Sequence, residues 1–183
     1  MAVALAEPLA PSAARASLAV RCATERDAPG LVGLINQLAV EATLLFVVPI
    51  DPVNGADDLR QFVHATAASG NNGVFVAALG DRLVGLATAT GGVHPAKRAT
   101  VEIGIGILEA YRARGIGRAL MAGVEDWARI AGIHRLQLPV VCTNEPAIGL
   151  YRKSGFTIEG TLRQSARVNG RDVDQYMMSK LLG

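Results

Sequence analysis

Aromatic residues are scarce in this 183-residue chain: one Trp, three Tyr and four Phe make up 4% of it. Packing must therefore rest on aliphatic residues and alanine, which bring the apolar share to 50%. Cysteine is scarcer still. Cys22 and Cys142 stand far apart and match no metal-ligand spacing, and three scattered histidines, His64, His94 and His134, add none. A reduced protein without a metal site is expected. No apolar run approaches the roughly 20 residues that a membrane-spanning helix needs. An excess of one charge is missing too: 18 basic against 16 acidic residues leave +2, which implies neither nucleic acid nor an anionic membrane as a partner. A cytoplasmic location is the expectation that follows.

Residues 1–17, MAVALAEPLAPSAARAS, are rich in alanine, hold two prolines and lack periodicity, so they read as a flexible N-terminal extension. A signal peptide is disfavoured because the segment opens without Lys or Arg and Glu7 interrupts its apolar run. Residues 18–183 have the length for one core and are expected to form a single domain.

A strand is expected from Leu18 to Arg21. Thr24-Glu25-Arg26-Asp27 then opens a helix to about Thr43, with Leu31, Leu34, Ile35, Leu38 and Ala42 at helical spacing. Segment 44–55 holds two prolines and Asn-Gly and reads as a loop, and Ala56 to Ala68 as a second helix ended by Gly70. Val74–Leu79 and Leu83–Thr90 form a hairpin pattern. Thr100–Leu108 is a strand in which Gly104 and Gly106 mark a bulge or a close backbone approach. A third helix runs from Gly115 to Ala131 with a stripe of Ile116, Leu120, Val124, Trp127 and Ala131. A strand at 134–141, a short helix after Thr143 or Asn144, and two strands joined by Asn169-Gly170 complete the chain. The class is α/β (α+β mixed), with helices on both faces of one sheet.

The stretch that carries most chemistry is Arg112-Ala113-Arg114-Gly115-Ile116-Gly117, followed by Arg118. It joins an apolar strand to an amphipathic helix through a basic, glycine-punctuated turn. The helix start leaves backbone N–H groups unpaired at its positive end. Arginines there are disfavoured by roughly 0.3–1 kcal/mol each unless an anion is bound. No Gly-x-x-x-x-Gly-Lys-Ser/Thr exists in the chain, which excludes a P-loop. A dinucleotide fingerprint would need a third glycine where Leu120 stands and an acid where 134–141 offers none. The remaining pattern, R-x-x-G-x-G after a strand, resembles the pyrophosphate motif of the GNAT superfamily of N-acetyltransferases. A second stretch, from Asn144 through Ala147, Leu150, Tyr151 and Lys153 to Gly155-Phe156, is similar to that superfamily's N-x-x-A-x-x-L-Y-x-K-x-G-F.

The resemblance, which spans roughly residues 18–182, implies a mostly antiparallel mixed sheet with a V-shaped splay between strands 4 and 5. It implies acetyl-CoA as acyl donor, its pantetheine bonded to the backbone of Ile105-Gly106-Ile107 and its pyrophosphate resting on Arg112 to Gly117 and Arg118. Pro139, unable to donate to a ladder, suits an unpaired stretch. Asn144 would bond the pantetheine arm or simply cap its helix, and Tyr151 would protonate the leaving sulfur or simply pack in the core. Protonation by a phenol near 10 of a thiolate whose thiol is near 8.5 is uphill by about 2 kcal/mol. Glu102 is the candidate base, or else half of a structural ion pair; Glu109 is a weaker candidate. An acyl-cysteine route through Cys142 is disfavoured for want of a nearby histidine in sequence.

The expected activity is acetyl transfer to a primary amine by direct attack in a ternary complex; the alternative is a noncatalytic acyl-CoA-binding or regulatory module. The acceptor, a small amine or a peptide N-terminus, would be framed by loop 44–55 and the Asn169-Gly170 hairpin. That loop is apolar and either lines a pocket or forms a subunit contact, so a homodimer is among the expectations. Glu41 and Asp51 near it would attract an ammonium or act as solvated loop charges.

Overall fold

The computed structural model describes residues 17–41, 44, 50–51 and 54–183. Expectations for the N-terminal extension and for most of loop 44–55 therefore lie outside the described residues, as do Ala42 and Thr43. In chain order the elements are β1 (Leu18–Cys22), a 3-10 turn (Glu25–Asp27), α1 (Ala28–Glu41), α2 (Gly55–Ser69), β2 (Gly73–Leu79) and β3 (Arg82–Gly91). A 3-10 turn (Pro95–Lys97), β4 (Thr100–Ile107), another such turn (Glu109–Tyr111), α3 (Ile116–Ile130), β5 (Arg135–Val141), α4 (Glu145–Lys153), β6 (Thr157–Val168) and β7 (Arg171–Leu181) follow. The sheet order is β1-β2-β3-β4-β5-β7-β6, with β4–β5 the parallel pair.

Helices cover both faces, as the alternating and continuous apolar strands require. Leu31, Leu34 and Leu38 of α1 and Val63 of α2 pack with Val76 on one face. Ile116, Leu120 and Val124 of α3, with Ile148 of α4, cover Phe75, Ala87, Ile103 and Leu138 on the other. The α3 stripe is rotated from the expected one: Met121 and Ala128 are fully buried, whereas Trp127 and Ala131 are only partly so. Trp127 is wide enough to edge onto Phe75, with ring centroids 5.6 Å apart.

The helix read from Thr24 begins instead as the 3-10 turn. Asp27 accepts from the Thr24 N–H at 2.7 Å and is gripped by both Nη atoms of Arg21, so its carboxylate ties β1 to the helix entry. Of the bulge or close approach read at Gly104 and Gly106, the bulge is not formed: β4 pairs with β3 without a break from Gly91↔Val101 to Gly85↔Ile107. The register shifts fall in β2 at Ala77/Ala78 and in β6 at Ile158/Gly160 and Leu162/Ala166.

One ion pair fastens three elements around the core. Lys180 of β7 donates to Glu125 of α3 at 2.7 Å and to the Ser154 carbonyl at the end of α4 at 2.8 Å. Both side chains are mostly shielded from solvent, so removing one partner leaves the other charge poorly solvated. Lys180→Ala is expected to cost about 1–2 kcal/mol in denaturant unfolding; an unchanged midpoint would show the pair to be incidental.

Candidate active site

The site begins where β4 and β5 part. Only Thr100↔Arg135, Val101↔Leu136 and Glu102↔Gln137 are in register; beyond them the two strands diverge into the expected V. Backbone direction alternates along a strand, which identifies the groups left over. Leu108 N–H donates to Val84, so even-numbered residues of β4 spend their amides on β3, and the odd-numbered Ile103, Ile105 and Ile107 face the gap. Gly106, expected among the cofactor contacts, thus turns its backbone away, to β3. Likewise Cys142 N–H donates to Asp174, so even-numbered residues of β5 face β7, and Pro139 and Val141 face the gap. Pro139 offers no donor there.

At the wide end of this gap lies the anion turn. Gly115, at φ 82°, caps α3, and Ala113 takes φ 59°. A left-handed non-glycine residue costs on the order of 1 kcal/mol, and strain of this kind clusters at functional sites. Ala119 donates the first intrahelical bond, to Gly115; the earlier N–H groups of Ile116, Gly117 and Arg118 project from the helix end. Arg114 and Arg118 are exposed, and the Arg114 guanidinium lies 5.5 Å from the Tyr111 ring centre, which also receives Arg82. Arg112 Nε donates to the Ile107 carbonyl at 3.0 Å, so that carbonyl is already engaged and only the Ile107 N–H faces the gap. Gly117 is buried, and a Cβ there would meet Leu150 at 2.8 Å. Its absent side chain lets α3 and α4 approach and brings the turn beside the Asn144 helix.

A cavity of about 310 Å³ fills the gap. Glu102, Thr88, Thr90 and Gly104 line it from β3 and β4, Pro139 and Val141 from β5, Asn144, Ala147 and Tyr151 from the α4 region, Gln175 from β7, and Leu44. Glu102 is exposed and makes no ion pair among the described residues, which leaves the structural-pair alternative without support. Tyr151 is only 6% exposed and packs on Phe156 at 6.0 Å between ring centres. Its hydroxyl has no hydrogen-bond partner among the described residues. Since no sealed side-chain polar atom among the described residues goes unpaired, that hydroxyl opens to the cavity. Burial pushes its pKa up to about 12, because the phenolate would lose its hydration. Asn144, rather than Thr143, is the α4 cap: its Oδ1 accepts from Ala147 N–H at 3.3 Å, while its amide nitrogen is spared.

Other candidates fall away from this centre. Glu109 is exposed in its 3-10 turn, and its N–H is held by Glu41 at 2.7 Å. Glu41 also accepts from Gln37, and these bonds hold its carboxyl below the usual range; it is a clasp between α1 and the turn after β4. Cys142 is absent from the described cavity lining, and no described histidine bonds to it. The Asn169-Gly170 tip is likewise absent from that lining; its strand contributes Gln175, which sequence reasoning missed. Gln175 could have been found only through the β6 irregularity that positions it, and no local pattern announces that.

The projecting amides and guanidinium groups fit a pyrophosphate, and the unpaired amides of Ile105 and Ile107 fit a peptide-like arm. In the parent, acetyl-CoA at a hundredfold over its Kd should add about 2.7 kcal/mol of stability. Arg114→Glu combined with Arg118→Glu, both exposed, is expected to keep apo stability but lose most of that increment in thermal unfolding; a full increment would move the anion site elsewhere.

Comparison with known proteins agrees with this geometry. The sequence profile of the Acetyltransferase (GNAT) family matches residues 43–156. The L-amino acid N-acetyltransferase AaaT of Escherichia coli K12 is 34% identical over 110 residues, 58% of this chain and 66% of that protein, so the chain spans just under two thirds of this relative. An L-methionine sulfoximine/L-methionine sulfone acetyltransferase of Pseudomonas aeruginosa is 28% identical over 166 residues, 88% of this chain and 93% of that one. The crystal structure of a GNAT-family acetyltransferase from Streptococcus pneumoniae superposes with a TM-score of 0.84 at 30% identity, covering 91% of this chain and all of that one. With the splayed strands, the anion turn and the family match in agreement, this chain belongs to the GNAT acetyltransferase family and is an acyltransferase with acetyl-CoA as its donor.

Proposed function

We propose that the protein acetylates the nitrogen of a primary amine, a small molecule or a peptide N-terminus, by direct attack within a ternary complex. The observation that carries this reading is that a carboxylate, Glu102, and a phenol, Tyr151, neither with a partner among the described residues, open into one cavity at the strand splay. Both named relatives act on amino acids or close analogues, which suits amine chemistry.

Acetyl-CoA supplies an activated acyl carbonyl and a thiol leaving group. The residues of the chain supply the rest. An alkylammonium with pKa about 10.4 is uphill by roughly 4–5 kcal/mol to its neutral form at pH 7. Glu102 takes that proton, directly or through one water. The Ile105 N–H, free on the gap side of β4, is the donor placed for the acyl oxygen as charge develops on it. Tyr151 donates to the departing sulfur. Burial makes this phenol a weaker acid than the reference one, so donation costs about 5 kcal/mol on the aqueous scale, more than twice the sequence-based figure. The same dry environment raises the thiol pKa and closes part of that difference. A phenol raised to about 12 stays protonated across the working range and is always ready to donate.

Tyr151→Phe is expected to lower kcat by about 10²-fold or more while changing acetyl-CoA affinity little; a loss confined to KM would reduce Tyr151 to a packing residue. Because burial disfavours the phenolate, no alkaline limb in the wild-type pH–rate profile below about pH 11 should disappear in Tyr151→Phe. Glu102→Gln should leave thermal stability intact and slow strongly basic amines at pH 7, with partial recovery as pH rises. A normal profile in that variant would assign proton removal to another group. Acetyl-CoA binding without turnover across an amine panel would replace the enzyme reading with that of a binding module.

A further inference from the structure

The acceptor end of the cavity carries a specific pattern of charge and donors. Among the described lining residues the one ionic group is Glu102, accompanied by the neutral hydroxyls of Thr88 and Thr90 across the β3–β4 ladder. An ammonium is attracted to such a wall, and an anion beside the nitrogen is repelled.

Besides Asn144 and Tyr151, the cavity holds a further donor held in place by its neighbours. Gln175 is 7% exposed, and its Oε1 accepts from Ser165 Oγ at 3.0 Å. Ser165 sits in the β6 irregularity, where Gln164 takes φ 50° and donates its N–H to Asp174 at 2.8 Å. That stitching fixes the carboxamide, so its NH₂ is the edge left for the cavity; no described residue accepts from it. Gln175 pairs with Val141, whereas Glu102 pairs with Gln137. The two rungs are four positions apart, roughly 13 Å along the strands. With the backbone rungs this far apart, Gln175 is placed for the far end of an acceptor whose amine is held at Glu102.

Resting on the amine-acetylating reading above, we propose that the preferred acceptor is an elongated primary amine with no carboxylate beside its nitrogen and a neutral hydrogen-bond-accepting group at its far end, received by Gln175. Gln175 is then a specificity-determining residue and Ser165 its positioning residue.

The test uses the full chain with acetyl-CoA and matched acceptors. For 2-phenylethylamine and phenylalanine methyl ester, kcat/KM should exceed that for phenylalanine at least tenfold; the ester keeps the bulk and removes the charge. A linear amine with a distal ether oxygen should be preferred over its methylene isostere, and Ser165→Ala should abolish that preference while leaving the KM for acetyl-CoA unchanged. Phenylalanine used as well as its ester would overturn the exclusion of the carboxylate. Equal use of ether and isostere by the wild type, or a preference that survives Ser165→Ala, would overturn the Gln175 contact. No transfer to any acceptor, with acetyl-CoA still raising Tm, would instead overturn the amine-acetylating reading itself.

Discussion

Backbone amides that lose their partner when β4 leaves β5 are the constraint on which this structure turns. Buried unpaired peptide groups are costly, so two strands that separate after three rungs need a reason to stay apart. Packing on one face supplies it. The α3 and α4 cluster holds Val101 and Ile103 of β4 and Leu136, Leu138 and Val140 of β5, the α1 and α2 cluster takes in Leu108 just past the end of β4, and Lys180 fastens β7, next to β5, to α3 and to the end of α4. The resulting slot is ready for a ligand that brings its own amides.

The anion turn shows how far local chemistry can be read. Its arginines and glycines are adjacent in sequence, and the physics that makes them informative, a helix start and a positive φ, is equally local. The Asn144-to-Phe156 stretch was legible for the same reason. Parity and partner were not legible: Gly104 and Gly106 left a bulge or a close approach open, and at Gly104 it is close approach, since a Cβ there would meet Thr88 Oγ1 at 2.8 Å. Which strand a residue's amides face is set by hydrogen bonds such as that between Leu108 and Val84, and these belong to pairs distant in sequence.

The same distinction separates the catalytic candidates from the groups around them. Glu102 and Tyr151 could be named from motif position, while the fact that each lacks a partner among the described residues and lines the same cavity is a property of the assembled fold. Gln175 was invisible because its orientation depends on Ser165 and on an irregularity in β6 opposite Asp174. Arg112 looked like a phosphate ligand alone, and it also closes the end of β4 by binding Ile107. Such double duty cannot be deduced from residue type.

Pro139 has one more effect, on what the slot refuses. A gap flanked by two bare strand edges invites any extended segment to enter and complete the sheet, whether from this chain or from a neighbour. With a proline at the middle of one wall, a visiting strand finds no donor at Pro139 on the β5 side and, on the β4 side, an Ile107 carbonyl already taken by Arg112. The slot therefore admits an arm that pairs in part and disfavours a full polypeptide strand, which keeps it open between turnovers.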